Sequence, residues 1–182
     1  GICKYPLFFF FFFLMEDNIL LANLLLPNID KTPDYYENLY PNRDLKEGAR
    51  VVRIAPSPTG YLHLGVLFAA LVNRITATTS GGIFFTRIED TDKKREVEGG
   101  IEDIIDGLGR FGITIDEGFI SGKEQKGDYG PYQQSQRAEI YQTYVKELIR
   151  QGLAYPCFCT AEELSALRDE QEAGKIRTGY HG

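Results

Sequence analysis

The sequence predicts an α/β protein in which a parallel sheet is flanked by helices. Three observations carry this reading. Short apolar runs of strand length stand at 51–55 and 83–88. Each is followed by a stretch whose apolar residues recur at helical spacing. Pro- and Gly-rich turns separate the runs from the helical stretches. Strands that alternate with helices in this way imply a parallel sheet.

The first element is short. Residues 18–26 have the composition of a helix, stopped by Pro27, and Pro33, Pro41 and Gly48 punctuate the segment up to residue 50. Val51, Val52, Arg53 and Ile54 open the first strand, predicted over 51–55. A Pro/Gly turn leads to an apolar helix over about 65–79, with Gly81 and Gly82 suited to a left-handed cap. The second strand, 83–88, is apolar enough to be buried on both faces. A second helix is predicted over about 96–109, because Ile101, Ile104, Ile105 and Leu108 share one face. Residues 116–118 and 127–131 read as a loop. A third helix comes next, over about 136–151, then a short edge strand over 154–158 that contains Pro156. Thr160 to Glu163 is a capping box for a fourth helix.

The 182 residues amount to about one domain, of ordinary apolar and charged content. The net charge of −6 is the wrong sign for a chain that grips nucleic acid through overall charge. Three cysteines without a paired framework fit a reducing, cytoplasmic setting. Residues 1–14 include six consecutive phenylalanines and are too short to span a bilayer. The only methionine is Met15, so 1–14 is expected to be a non-native or upstream-translated segment, with no membrane partner expected and a membrane-touching tail as the alternative.

The turn between the first strand and its helix carries the chemistry. It runs Pro56, Ser57, Pro58, Thr59, Gly60 and closes on His63-Leu64-Gly65. A helix N-terminus offers unpaired N–H groups and partial positive charge, which suit a phosphate. Gly65 allows close approach to the backbone, and His63 can donate to a phosphoryl oxygen.

With Arg53 before it, Arg87-Ile-Glu-Asp-Thr-Asp92 after it, and Gly130-Pro-Tyr-Gln-Gln-Ser-Gln-Arg137 further on, this block resembles the bacterial glutamyl-tRNA synthetases. The resemblance covers about residues 20–182. His63-Leu64-Gly65-Val66 matches a degenerate form of their first signature. Thr32-Pro33, Tyr40-Pro41 and Glu47-Gly48 are similar to an N-terminal extension found in some members. It implies the first half of a Rossmann-like class I synthetase core over 51–155, an extension over 15–50, and the start of an acceptor-stem insertion over 156–182. The implied activity is ATP-dependent formation of glutamyl adenylate, with Mg²⁺ accompanying ATP, and transfer of glutamate to the 3′ end of tRNA. A piece of this length is not expected to charge tRNA alone. The complete enzyme is expected to be a cytoplasmic monomer.

Residue by residue, the resemblance puts Arg53 on the substrate's side-chain carboxylate, with Ala55 and Ser57 beside it, and Glu89 on its α-ammonium group. It puts Pro58, Thr59, Gly60, His63, Leu64 and Gly65 at ATP, with His63 and Gly65 catalytic, and Asp92 and Arg95 near the tRNA 3′ end. Each has a plainer alternative. Arg53 could be a strand-end ion pair, Ser57 and Thr59 turn residues, and Asp92 an acidic complement to a helix dipole. Arg137, Lys146 and Arg150 read as a solvated face, with tRNA phosphate as the alternative. Cys157 and Cys159 make half of a metal site, and the resemblance allows zinc in the complete protein. Other readings are a relative that glutamylates queuosine on tRNA, and a non-catalytic tRNA- or protein-binding module.

Overall fold

The computed structural model describes residues 7–121 and 124–180. The chain divides into two compact units, Ala22–Glu147 and the remainder on either side of it.

The larger unit holds the predicted sheet. Strands β1 (Val51–Ile54) and β2 (Ile83–Thr86) pair in parallel, Val51 opposite Ile83 and Arg53 opposite Phe85. Parallel strands need a crossover, and α3 (Leu64–Ser80) supplies it. Gly81 ends α3 in the left-handed conformation, φ 65°, and its N–H returns to the carbonyls of Ala77 and Thr78. Gly82 lies against the chain entering β1: a Cβ there would stand 1.9 Å from the Arg50 carbonyl oxygen. β2 then continues the sheet through parallel bridges from Phe85 to Glu117 and from Ile88 to Gln133. The core forms where Ala70 and Ala77 of α3 meet Ile54, Phe84 and Ile88. Ile104, Ile105 and Leu108 of α4 (Gly100–Arg110), with Phe119 and Tyr132, complete it. β2 is less symmetrically buried than expected: Phe84 and Thr86 are buried, Ile83 and Phe85 only half.

Several elements differ from expectation. α1 runs from Leu7 to Leu25, extending back through the aromatic run, because no Pro or Gly interrupts those 19 residues. Among the described residues no helix is long and apolar enough to cross a membrane. Pro33 does not merely punctuate. It opens a short helix, α2 (Pro33–Leu39), because Pro tolerates the first helical turn, where the missing N–H is no loss. α4 starts at Gly100 rather than near 96, since the Val97 N–H is drawn to the Pro58 carbonyl at 2.8 Å and Gly99 turns the chain at φ 72°. The expected loop contains a small antiparallel hairpin, β3 (Gly118–Ser121) with β4 (Glu124–Lys126). The exposed Glu-Gln-Lys of β4 carries no apolar alternation by which to recognise it.

A 3₁₀ turn at Gln134–Arg137 leads into α5 (Ala138–Arg150). In the smaller unit residues 154–158 form no strand. Pro156 has no N–H to donate, and no described strand runs beside them. α6 (Ala161–Ala173) begins with the predicted capping box: the Glu163 N–H donates to Thr160 Oγ1 at 3.2 Å, and the Thr160 N–H to Glu163 Oε2 at 2.7 Å.

Two glycines separate packing from propensity. Gly82→Ala should destabilise the protein by roughly 1–3 kcal/mol or more, because its clash is with backbone. Gly109→Ala, inside α4 with open space around it, should stabilise by roughly 0.5–1 kcal/mol. Denaturant midpoints of the two variants moving in the same direction would contradict this assignment.

Candidate active site

The Pro/Gly turn after β1 is stitched to the loop after β2. The Arg87 N–H donates to the Ile54 carbonyl at 3.1 Å and the Glu89 N–H to the Pro56 carbonyl at 2.9 Å. Val97 repeats the pattern on Pro58. From below, α4 braces the turn: the Leu62 N–H donates to Asp103 Oδ2 at 3.0 Å. Gly100 and Gly107 admit Pro58 and Leu62 onto the helix surface, where a Cβ would stand 3.2 Å from Pro58 and 2.2 Å from Leu62. The turn is therefore held by its neighbours on two sides.

On this frame Arg53 and Glu89 meet directly, Nη1 donating to Oε1 at 3.1 Å, at the ends of two adjacent parallel strands. Both side chains are about one-third exposed, at 36% and 33%. Arg87 Nη2 donates to the same oxygen at 3.3 Å. Glu89 thus stands between two guanidinium groups. Ala55, Thr59 and Gly60 are half-buried in the turn, Pro58 is buried and Ser57 is exposed. His63 is the N-cap of α3 but caps through its carbonyl alone, which accepts from the Val66 and Leu67 N–H groups at 3.0 and 3.2 Å. Its exposed ring makes no capping bond and lies over Gly65, where a Cβ would stand 3.2 Å from the ring. Gly65 and Leu64 are exposed in the first turn of α3. This leaves an open helix N-terminus with an imidazole beside it. Asp92 and Arg95 pair with one another at 2.6 Å through Arg95 Nε. Arg95 lowers the Asp92 carboxyl below its usual range.

The residue that sequence reasoning passed over is Asp90. It is 1% exposed. Its carboxylate accepts from the Ser135 N–H at 2.9 Å, the Ser135 hydroxyl at 2.6 Å, Gln133 Nε2 at 2.7 Å and Lys93 Nζ at 2.9 Å. Burial pushes the carboxyl up, but the Ser135 hydroxyl, Lys93, the Ser135 amide and Gln133 outweigh it and hold it well below the ordinary carboxylate range. Asp90 so ties the Glu89 loop to the Gly130–Arg137 block. The signal was present as a third carboxylate in the run and three glutamines and a serine in the later block. Their meeting depends on the bridge from Ile88 to Gln133, which no local pattern announces.

The basic residues near α5 are not simply a solvated face. Arg137 Nη1 donates to the Pro131 carbonyl at 2.9 Å. Lys146 donates to the carbonyls of Leu26 and Ile29 at 3.0 and 2.8 Å, beyond the end of α1. In the smaller unit Cys157 and Cys159 are exposed and both contact the Tyr180 hydroxyl, at 3.4 and 3.3 Å. That contact lowers the Cys157 thiol below its usual range. Two thiols do not fill a tetrahedral shell. Among the described residues no group of three or more His, Cys, Asp or Glu gathers to hold a metal. The described residues therefore do not make a zinc site.

A family model, the catalytic domain of the class I tRNA synthetases for glutamate and glutamine (E and Q), matches residues 50–181. The chain belongs to this family. Among its class I relatives, a glutamate–tRNA ligase of Clostridium perfringens strain 13 is 60% identical over 162 residues, which are 89% of this chain and 30% of that protein. One from Acetivibrio thermocellus is 52% identical over 164 residues, again 89% of this chain and 30% of the relative. A crystal structure of a glutamate tRNA ligase from Elizabethkingia meningosepticum, in complex with its amino acid, superposes with a TM-score of 0.63 at 44% identity, covering 74% of this chain and 26% of that one. The chain thus spans about 30% of the length of the relatives it matches. The parallel sheet with its crossover helix is part of the class I synthetase core.

Asp90 carries a pH prediction. Its carboxyl is depressed in the folded protein, so its stabilisation is fully present above the unfolded carboxylate pKa of about 4. It is lost as pH falls below that value toward the depressed one. Asp90→Asn should cost roughly 1.5–3 kcal/mol at neutral pH, as for hydrogen bonds to a charged group. It should also flatten the fall in stability below about pH 4. Wild type and variant losing stability in parallel on acidification would contradict it.

Proposed function

We propose that this chain works within a glutamate–tRNA ligase, as the part of the catalytic domain that binds glutamate and ATP. The observation that carries the reading is the exposed Arg53–Glu89 pair at the ends of adjacent parallel strands, the place where open α/β sheets take their ligands. Glutamate has an anionic side chain and a cationic amino group. Arg53 is suited to the first because its guanidinium fork fits a carboxylate in bidentate fashion. Glu89 is suited to the second. Ala55 and Ser57 stand in the turn beside them.

ATP belongs over the turn and the start of α3. Pro58, Thr59 and Gly60 shape the approach, Leu64 and Gly65 offer the helix N-terminus, and His63 supplies a donor to the phosphates. The α-carboxylate of glutamate then attacks the α-phosphorus of ATP, forming a P–O bond as pyrophosphate, which Mg²⁺ accompanies, departs. The terminal ribose hydroxyl of tRNA attacks the resulting mixed anhydride, and AMP leaves. Neither step needs a covalent bond to the protein, which aligns the reactants and stabilises charge on the transferring phosphate. Asp92 and Arg95, an exposed pair past the Glu89 loop, stand on the side proposed for the tRNA 3′ end. The reading includes residues 15–50 as an extension, 51–155 as the first half of the core and 156–182 as the start of an acceptor-stem insertion, in a cytoplasmic monomer.

Two variants of a full-length ligase carrying this chain test the assignment. Arg53→Ala should raise the KM for glutamate far more than that for ATP, because the guanidinium fork is proposed to grip only the side-chain carboxylate of the amino acid. Equal effects on the two substrates would remove Arg53 from the glutamate site. His63→Ala should slow adenylate formation roughly a hundred- to a thousandfold with the fold intact. ATP–pyrophosphate exchange, measured with tRNA present, would show His63 to be structural if its rate did not change.

A further inference from the structure

The glutamate and ATP sites leave the segment before β1 without a purpose, yet that segment is firmly attached. α2 and the residues after it lay a stack of aromatic rings against the 129–132 loop. Tyr36 stacks on Tyr40 with centroids 6.4 Å apart, and Tyr40 on Tyr129 at 6.2 Å. Hydrogen bonds cross the same seam in both directions: Tyr40 Oη donates to the Gly130 carbonyl, and Tyr129 Oη to the Pro41 carbonyl at 2.7 Å. Arg43 then lies over the Tyr129 ring at 3.6 Å and forks both oxygens of Glu117, with Nη2 to Oε2 at 2.7 Å. Both members of that ion pair are mostly buried, at 15% and 14% exposure.

Glu117 does not end the chain of contacts. Its Oε2 also accepts the Tyr132 hydroxyl at 2.9 Å, and the Tyr132 ring is buried beside Phe85 of β2. Burial above all pushes the Tyr132 phenol up to about 12, so it keeps its proton and remains a donor to Glu117. The Tyr132 backbone lies alongside the loop that carries the site. Its carbonyl accepts from the Ile88 N–H at 2.9 Å, and the Gln134 N–H returns to the Ile88 carbonyl at 2.8 Å. Gln133 and Ser135, set by that pairing, hold Asp90, whose sequence neighbour is Glu89.

We propose that residues 33–43 are a positioning arm for the glutamate site. Arg43, acting through Glu117 and Tyr132, sets the Gln133–Ser135 segment that clasps Asp90, and so fixes the Glu89 carboxylate. Arg43 is a positioning residue: it reaches Glu89 only through other groups. The proposal rests on the reading of Glu89 as the partner of the substrate's amino group. It adds that the segment ahead of the catalytic core tunes affinity for the amino acid and leaves that for the nucleotide alone. ATP is proposed to lie over the other end of the turn, which is braced by α4 and not by the arm.

The test is steady-state kinetics on a full-length ligase carrying this chain, with Arg43→Ala, Arg43→Lys and Arg53→Ala measured side by side. Arg43→Ala should raise the KM for glutamate about tenfold, part of the worth of a charge-assisted pair, while the KM for ATP stays within about twofold. Arg43→Lys keeps the charge and loses the fork, and should recover part of that loss. Equal changes in both KM values, or none in either, overturn the proposal. A glutamate KM that moves in Arg53→Ala but not in Arg43→Ala overturns the arm and leaves the site reading standing. No shift in Arg53→Ala overturns both. If Arg43→Ala does not fold, Tyr40→Phe removes only the hydroxyl bond to Gly130 and should raise the glutamate KM about threefold with the fold kept. An unchanged value there overturns the arm as well.

Discussion

Asp90 has almost no exposed surface and accepts four hydrogen bonds, two of them from Ser135. A buried carboxylate with fewer partners would be a liability, since desolvation would push it toward neutrality. Here it is the junction of two pieces of backbone that are 45 residues apart in sequence. The 87–92 loop is anchored on one side to the Pro-rich turn through Pro56, and on the other to the 130–137 block through Asp90. Without Asp90, that side of the loop would be held mainly by the backbone pairing of Ile88 with Tyr132 and Gln134. The position of Glu89 opposite Arg53 depends on that loop being fixed relative to β1.

The frame around the loop is made from small residues as much as from apolar ones. α4 approaches the turn because Gly100 and Gly107 present no side chain toward Pro58 and Leu62. Gly118, at φ 109°, lies so close to Thr86 that a Cβ would stand 2.2 Å from its carbonyl oxygen. Thr86 is fully buried, and its hydroxyl accepts from the Phe119 N–H at 3.1 Å. The strand that delivers Arg87 and Glu89 is therefore flanked by backbone on its far edge.

How legible this was in the sequence depended on the range of each interaction. β1, α3, its glycine cap and the α6 capping box are set by residues within one or two turns of each other, and the sequence showed them. The meeting of Arg53 with Glu89 follows from the structure, where two parallel strands in register bring their C-terminal ends together. What stayed hidden was set by partners far along the chain. The start of α4 is delayed by a bond to Pro58. The hairpin strand Glu124–Lys126 is exposed and polar throughout, so it carries no pattern to read. Lys146 looked like a solvated charge and is instead spent on carbonyls more than a hundred residues earlier. The role of Asp90 was masked by its neighbours, because three carboxylates in four positions look alike until one of them is buried.

The contact between Arg53 and Glu89 has a consequence for how such a pocket would choose its guest. Arg53 and Glu89 already satisfy one another, so neither presents its full charge to an incoming amino acid. In the proposed reading, admission is an exchange of partners: one internal ion pair is given up, and glutamate returns two, one at each end. An uncharged side chain of the same length returns only one, leaving the guanidinium with a weaker partner than it had before. Selectivity would then come from what the pocket forfeits by opening for the wrong amino acid, and Arg87, still bonded to Glu89, would keep that carboxylate in place during the exchange.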